Sequence, residues 1–172
     1  MEFFDVLETR QSIRSYTTAP VEEEKLKRIL EVANSAPSAG NLQAYEIYII
    51  RETGQRRALA GASLGQKFLA TAPVALVFCA HLSRSAGEYG QRGRMLYATQ
   101  DASIACTYGM LTAAAIGLAT VWIGAFDEEK VRGVIGAPEG ILPVAILPIG
   151  YAAEQPPRTP RRSLTDIVHE VV

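Results

Sequence analysis

A chain of 172 residues that is 48% hydrophobic is the size of one globular domain and carries enough apolar material for a core, which argues against two large domains. Its 17 Lys and Arg against 18 Asp and Glu leave a formal net charge of -1, so no global field is expected that would hold nucleic acid. The basic residues are mostly Arg and several cluster near the two ends, a pattern that suits a local anion site. Cys79 and Cys106 lie far apart inside apolar runs, which fits neither a disulfide framework nor a zinc site and reads as two buried free thiols in a reducing cytoplasm. The acidic opening Met1-Glu2-Phe3-Phe4-Asp5 carries no signal-peptide pattern, so the expected location is cytoplasmic.

Helical and extended patterns then alternate without internal repeats. Leu26, Ile29, Leu30 and Ala33 recur at three-and-four spacing behind the acidic turn Glu22-Glu23-Glu24, predicting an amphipathic helix over 21–34. Tyr45–Ile50 and Val74–Ala80 are β-branched and aromatic runs, expected as strands buried on both faces. Between them, 56–70 is Ala- and Leu-rich and reads as helix. The polar stretch 81–93, with Gly87, Gly90 and Gly93, reads as a mobile loop. A central core helix is predicted from Met95 to Gly117, crowded with small residues that permit close packing. The most apolar stretch, 102–125, is broken by Thr107, Tyr108, Gly109, Thr112, Gly117 and Thr120, which fits this helix and a following strand better than a membrane span. A strand over 120–126, a helix capped by Asp127 and running toward Ile135, and a strand over 143–151 interrupted by Pro148 complete the pattern. Residues 152–162, with Pro156, Pro157 and Pro160, are expected as an extended arm with little of its own to bury, hence one that meets a partner subunit. A short terminal element over 164–172 should dock on something.

Two segments carry chemistry. In Arg10-Gln11-Ser12-Ile13-Arg14, an extended backbone would point Arg10, Ser12 and Arg14 the same way, and a helix would still put both arginines on one face. Two guanidinium forks and a hydroxyl suit a phosphate monoester, although arginines near a helix end are also commonly solvated or paired with carboxylates. No GxGxxG unit or GxxxxGK[ST] loop is present, so any phosphate must be held by side chains. In Ala36-Pro37-Ser38-Ala39-Gly40-Asn41-Leu42-Gln43, the amides of Asn41 and Gln43 could read the edge of a heteroaromatic ring or, equally, satisfy the backbone of a tight loop.

These two segments, followed in order by Gly117-Leu118, Trp122-Ile123-Gly124-Ala125-Phe126 and Ile149-Gly150-Tyr151 before an Arg-rich tail, resemble the short members of the nitroreductase family of FMN-dependent oxidoreductases. Each motif is unspecific alone; their order and spacing along nearly the whole chain carry the resemblance. It implies an α+β fold with a mixed sheet flanked by helices, residues 1–172 as a single FMN-binding domain with 152–172 as a C-terminal arm, and an intertwined homodimer with FMN at the interface. Carried onto matching positions, Arg10, Gln11, Ser12, Ile13 and Arg14 would contact the FMN phosphate and ribityl chain, and Arg161 or Arg162 would close on the same phosphate. Ser163 stands where the family usually has Pro, which leaves the register of those two open by one residue. Pro37, Ser38 and Ala39, together with Asn41, would approach the flavin from the other subunit. Gln66 would lie near the pyrimidine, and Ile123, Gly124 and Ala125 would bring backbone N–H groups to N5, where a reduced flavin is held by a donor.

Two departures bear on substrate choice. Ala44-Tyr45 replaces a Pro-Trp pair, and Gly40 replaces a side chain that often lies over the ligand, so a more open pocket is expected. The function implied is hydride transfer from NADH or NADPH through flavin N5 to a nitroaromatic, quinone or free flavin in a ping-pong cycle, with no residue nominated as catalytic acid, no nucleic-acid partner and no membrane contact. His81 and His169, the only histidines, read as surface or arm residues, and Tyr89 and Tyr97 could reach a substrate or simply pack. A non-catalytic FMN-storage dimer, a flavin destructase or dehalogenase of the same family, and a flavin-free dimer that binds another phosphate are the alternatives.

Overall fold

The computed structural model describes residues 2–171. Helices α1 (Phe3–Thr9) and α2 (Glu23–Asn34) come first, then strand β1 (Tyr45–Ile50), helices α3 (Thr53–Ala62) and α4 (Phe68–Thr71), and strand β2 (Val74–His81). Helix α5 (Leu82–Arg92), a π turn at Gly93–Tyr97, helix α6 (Ala98–Ala115), strand β3 (Ala119–Thr120), helix α7 (Glu128–Ile135) and strand β4 (Ile141–Gly150) follow.

The sheet has the order β1-β2-β4-β3 and every named pair is antiparallel. The mixed sheet expected from the resemblance is therefore mixed only at an isolated parallel bridge between Ser12 and Thr120. Along β2 the side chains alternate between two cores, as a period of two requires. Leu76, Phe78 and Ala80 face the cluster built with Ile29, Ala33 and Ala105, while Ala75, Val77 and Cys79 face the one built with Leu59, Leu69 and Val131. β2 is buried on both faces as predicted, but β1, the edge strand, exposes Glu46 on one face and Ile49 on the other, each face being only partly covered.

Local chemistry explains several element ends. Glu52 accepts from Gln55 N at 2.7 Å and Asp127 from Lys130 N at 3.1 Å, capping α3 and α7. α7 stops at Gly136, whose left-handed φ of 64° few other residues adopt. The single helix expected over 56–70 is two helices, split by a turn with left-handed Leu64 and Gly65. The strand expected over 120–126 pairs only at Ala119 and Thr120 before the chain leaves the sheet, touching it again at the Ile123–Ile146 bridge. β4 runs uninterrupted, with Pro143 opposite Cys79 where the β2 register shifts, a place that tolerates a missing N–H.

The mobile loop expected at 81–93 is instead helix α5. His81 Nδ1 accepts from Arg84 N at its start, and the glycines do structural work: Gly90 takes the kink at φ 56° and Gly93 lies so close to the Ser85 carbonyl that a Cβ would sit 2.4 Å from its oxygen. Composition misled because glycine and polar residues also serve a helix that must bend and pack tightly. The core helix likewise starts at Ala98, three residues after the predicted start, since Gly93–Tyr97 form the π turn.

The C-terminal segment leaves β4, bridges Tyr16 at Ala152 and donates from Ala153 N to Ser15 O at 2.9 Å. From Ala152 to Val171 every residue except Pro156 is exposed, Leu164, Ile167 and Val168 included, with one three-residue turn at Leu164–Asp166. The terminal element expected over 164–172 is thus a single turn that docks on nothing within the protomer; Val172 lies outside the described residues. No helix among the described residues is long and apolar enough to cross a membrane.

Both cysteines are free and buried. Burial, with the Glu46 carboxylate adding, pushes the Cys79 thiol up to about 12, and burial raises Cys106 as well. The folded state therefore favours the neutral thiols: their contribution is complete below the ordinary thiol range and is lost as pH climbs from there toward 12. Native protein should release neither thiol to a disulfide reagent at mildly alkaline pH, with both titrating at once in denaturant. A thiol that reacts in the native state at the free-cysteine rate would show that the core opens.

Candidate functional site

Helix α1 ends at Thr9, and Arg10 turns the chain out with ψ 127° into an extended run. Ile13 N donates to Thr120 O at 3.0 Å, Tyr16 Oη donates to Ile13 O at 2.6 Å, and Ile13 and Tyr16 pack with Ala72. Burial and the Arg14 and Glu154 charges act on this phenol, and burial dominates, raising it above the ordinary tyrosine range. With Ile13 anchored inward, the alternation of an extended chain turns Arg10, Ser12 and Arg14 to the other side. These three line a cleft of about 630 Å³ together with Arg158 and Arg161 of the arm.

None of the four guanidiniums of this cleft has an ion-pair or hydrogen-bond partner among the described residues, and a single carboxylate, Glu8, lies on the wall. Arg14 is tied only through its backbone N–H, which donates to Glu154 Oε1. Arg162 turns away and donates to Asp166 O at 2.6 Å, so of the two tail arginines Arg161 faces the cleft. Sequence reasoning missed Arg158, although a proline-rich segment that turns once in three residues puts 158 and 161 on one side. Gln11 and Arg10 also border a neighbouring cavity of about 490 Å³, floored by Met110, Ala114 and Gly117 at the end of α6, where the buried Thr120 Oγ1 has no partner among the described residues.

The loop between α2 and β1 forms a second site element. Pro37, Ser38 and Ala39 line a cavity of about 560 Å³ with Tyr97 and the first turns of α6. Gln43 donates from Nε2 to Asn41 O at 3.0 Å and from its backbone to Ser38 Oγ at 2.9 Å, so its amide serves the loop itself, the second of the two readings left open. Asn41 is exposed, does not line this cavity and holds a left-handed φ of 56°. The opening expected above Gly40 is filled: Tyr89 Oη would lie 2.4 Å from a Cβ there, and Tyr89 stacks edge-on against Tyr97 at 5.2 Å. Asp101, unnoticed in the sequence, is 2% exposed and accepts from Ala39 N at 3.0 Å and Ala44 N at 3.3 Å. Its signal was an acid on the small-residue stripe of a core helix.

The third element is a corner between α3 and β3. Gln66 Nε2 donates to Ser63 O at 3.0 Å and to Ala125 O at 3.1 Å, which joins two of the residues the resemblance singled out. Ile123 N donates to Ile146 O at 3.0 Å, so of Ile123, Gly124 and Ala125 only the last two keep a backbone N–H without a partner among the described residues. Gly124 and Ala125 are exposed, and a Cβ on Gly124 would press on the Trp122 indole at 3.3 Å. The protomer thus unites Arg10, Ser12, Arg14 and Arg161, unites Gln66 with Ala125, and groups Pro37–Ala39 with α6. The arginine cleft and the loop cavity are separate, and Gln66, Gly124 and Ala125 line neither.

Comparison with known proteins fits this layout. The family model described as Nitroreductase family matches residues 7–67 and 62–151. A protein of Thermus thermophilus named NADH dehydrogenase is 34% identical, with 85% of this chain and 84% of that protein covered. The Bacillus subtilis FMN reductase [NAD(P)H] is 30% identical over 98% of this chain and 73% of its own length. Among solved structures, B. megaterium NfrA2 superposes with a TM-score of 0.90 at 27% identity, covering 98% of this chain and 74% of that one. A putative NADH dehydrogenase/NAD(P)H nitroreductase of Bacteroides thetaiotaomicron reaches 0.85 at 28% identity, covering 97% and 96%.

Proposed function

The chain belongs to the nitroreductase family, and from that premise we propose that residues 1–172 act as one FMN-binding oxidoreductase unit that works as a homodimer. The observation that carries the reading is the cleft with four guanidiniums and no ion pair. Cationic forks gathered without carboxylate partners repel one another, and a dianionic phosphate relieves that repulsion through charge-assisted hydrogen bonds. The residues therefore fit FMN: Arg10, Arg14, Arg158 and Arg161 would hold its phosphate, with Ser12, Gln11 and Ile13 along the ribityl chain. Bound there, FMN would supply the redox chemistry, namely hydride uptake from NAD(P)H and electron delivery to a nitroaromatic, quinone or free flavin in ping-pong order.

The chain's own part is placement. Gly124 and Ala125 would offer their spare N–H groups to the ring, Gln66 would orient beside them while bonded to the Ala125 carbonyl, and Pro37, Ser38, Ala39 and Asn41 would cover the ring from a second copy. The separation of loop cavity and arginine cleft within one protomer supports that sharing. So does the arm: holding exposed residues in one conformation costs about 1–2 kcal/mol each in backbone entropy, and beyond the bonds at Ala152–Glu154 the segment buries little within the chain to offset it. Two buried free thiols support a reducing, cytoplasmic setting.

The test is an absorbance spectrum of purified protein, repeated anaerobically with NADH and then NADPH. Flavin bands that bleach, followed by turnover on an acceptor, are expected. Bands that persist would favour the storage dimer, and a colourless protein that refuses added FMN would overturn the reading in favour of another phosphate ligand.

A further inference from the structure

Asp101 is the one carboxylate buried among the described residues. It sits on the core-facing stripe of α6 with Ala98, Ala102 and Ala105, and its two oxygens reach Ala39 N and Ala44 N, on either side of the turn over residues 40–43. That turn holds three left-handed residues, Gly40, Asn41 and Gln43, at φ 57°, 56° and 51°. Asn tolerates this conformation, but for Gln it is unfavourable and persists only where surrounding bonds impose it. Neighbouring bonds hold the middle: Gln43 N to Ser38 Oγ, and Arg84 Nε to Leu42 O. Asp101 is the side chain among the described residues that bonds the backbone N–H groups on both sides of the turn.

We propose that Asp101 is the positioning residue of the flavin wall: by accepting from Ala39 N and Ala44 N it sets the left-handed turn in place, and with it Pro37, Ser38 and Ala39, before any flavin arrives. This rests on the flavin reading given above. A carboxylate suits the task because both of its oxygens can accept. An amide of the same shape has one acceptor and would aim an NH2 at one of the two N–H donors. Asp101 touches no reacting atom in this scheme, since both oxygens are taken by the loop.

The test compares Asp101→Asn with Val77→Ala, a truncation in the core on the other face of β2 from the cluster that holds Ala44, which serves as a control for lost stability alone. Asp101→Asn should weaken FMN binding about 10- to 100-fold, as misplaced binding groups do, and alter the visible circular dichroism of the bound flavin. Val77→Ala should lower the melting temperature while leaving the affinity of the folded protein and that spectrum unchanged. Should Asp101→Asn fail to fold, hydrogen exchange on the unsubstituted chain decides: the amides of Ala39 and Ala44 should be protected in FMN-free protein and gain little on loading. Amides that exchange freely until FMN is added would overturn the inference. So would equal FMN affinity in the two variants, with the flavin reading still standing. A chain that takes up no FMN at all overturns both.

Discussion

Arg14→Ala is expected to weaken FMN binding by about 10- to 150-fold, the equivalent of the 1.5–3 kcal/mol typical of a hydrogen bond to a charged group. The side chain is exposed and bonds no carboxylate, so its loss leaves no buried charge unpaired, and the backbone N–H that meets Glu154 survives the substitution. Melting temperature should therefore hardly move while affinity falls, a split that separates ligand contact from structural support. Raising the salt should weaken binding to the parent chain more than to the variant, because one guanidinium fewer remains to be screened. Titration of FMN-free protein by flavin fluorescence reads both. Unchanged affinity would remove Arg14 from the phosphate clamp and with it the reason the cleft holds four cations.

If the chain works as the homodimer proposed above, deleting residues 156–172 should leave it monomeric and abolish retention of FMN through gel filtration. The deleted segment contains Arg158 and Arg161 and the exposed apolar side chains of Leu164, Ile167 and Val168. The truncated chain keeps Glu154 and the Ala153–Ser15 bond, so the Arg10–Arg14 run retains its tether. Within the protomer the segment buries almost nothing, and its one regular element is a three-residue turn, so far-UV circular dichroism should be nearly unchanged. Sedimentation velocity gives the mass and absorbance the flavin content. A truncated chain that still sediments as a dimer and keeps FMN would show that the arm is a dispensable tail and that the interface lies elsewhere.

The elements most legible in the sequence were those whose signal is local. Leu26, Ile29 and Ala33 announce α2 by spacing, Asp127 and Gly136 bracket α7 by their cap chemistry, and the run Val74–Ala80 can only be a buried strand. The misreadings share a cause. Gly87, Gly90 and Gly93 have the composition of a loop, yet the bend at Gly90 and the contact of Gly93 with the Ser85 carbonyl belong to a packed helix, and no local pattern reveals that contact. β1 and β2 read alike as apolar runs; their places at the edge and inside the sheet make one half exposed and the other buried.

For the site, the residue types of the Arg10–Arg14 motif suited an anion, with solvated or carboxylate-paired arginines as the other reading the sequence left open. Whether they would converge depended on the backbone, and the extended run anchored by Ile13 and Tyr16 decided it. The choice between Arg161 and Arg162, the recruitment of Arg158, the loss of the Ile123 N–H to Ile146 and the grip of Asp101 on a loop about 60 residues earlier in the chain were decided by tertiary structure alone. Chemistry that lives in a side chain can be read from its letter. Which hydrogen-bond donors stay free, and which charges stay unpaired, is settled only when distant segments have taken their partners.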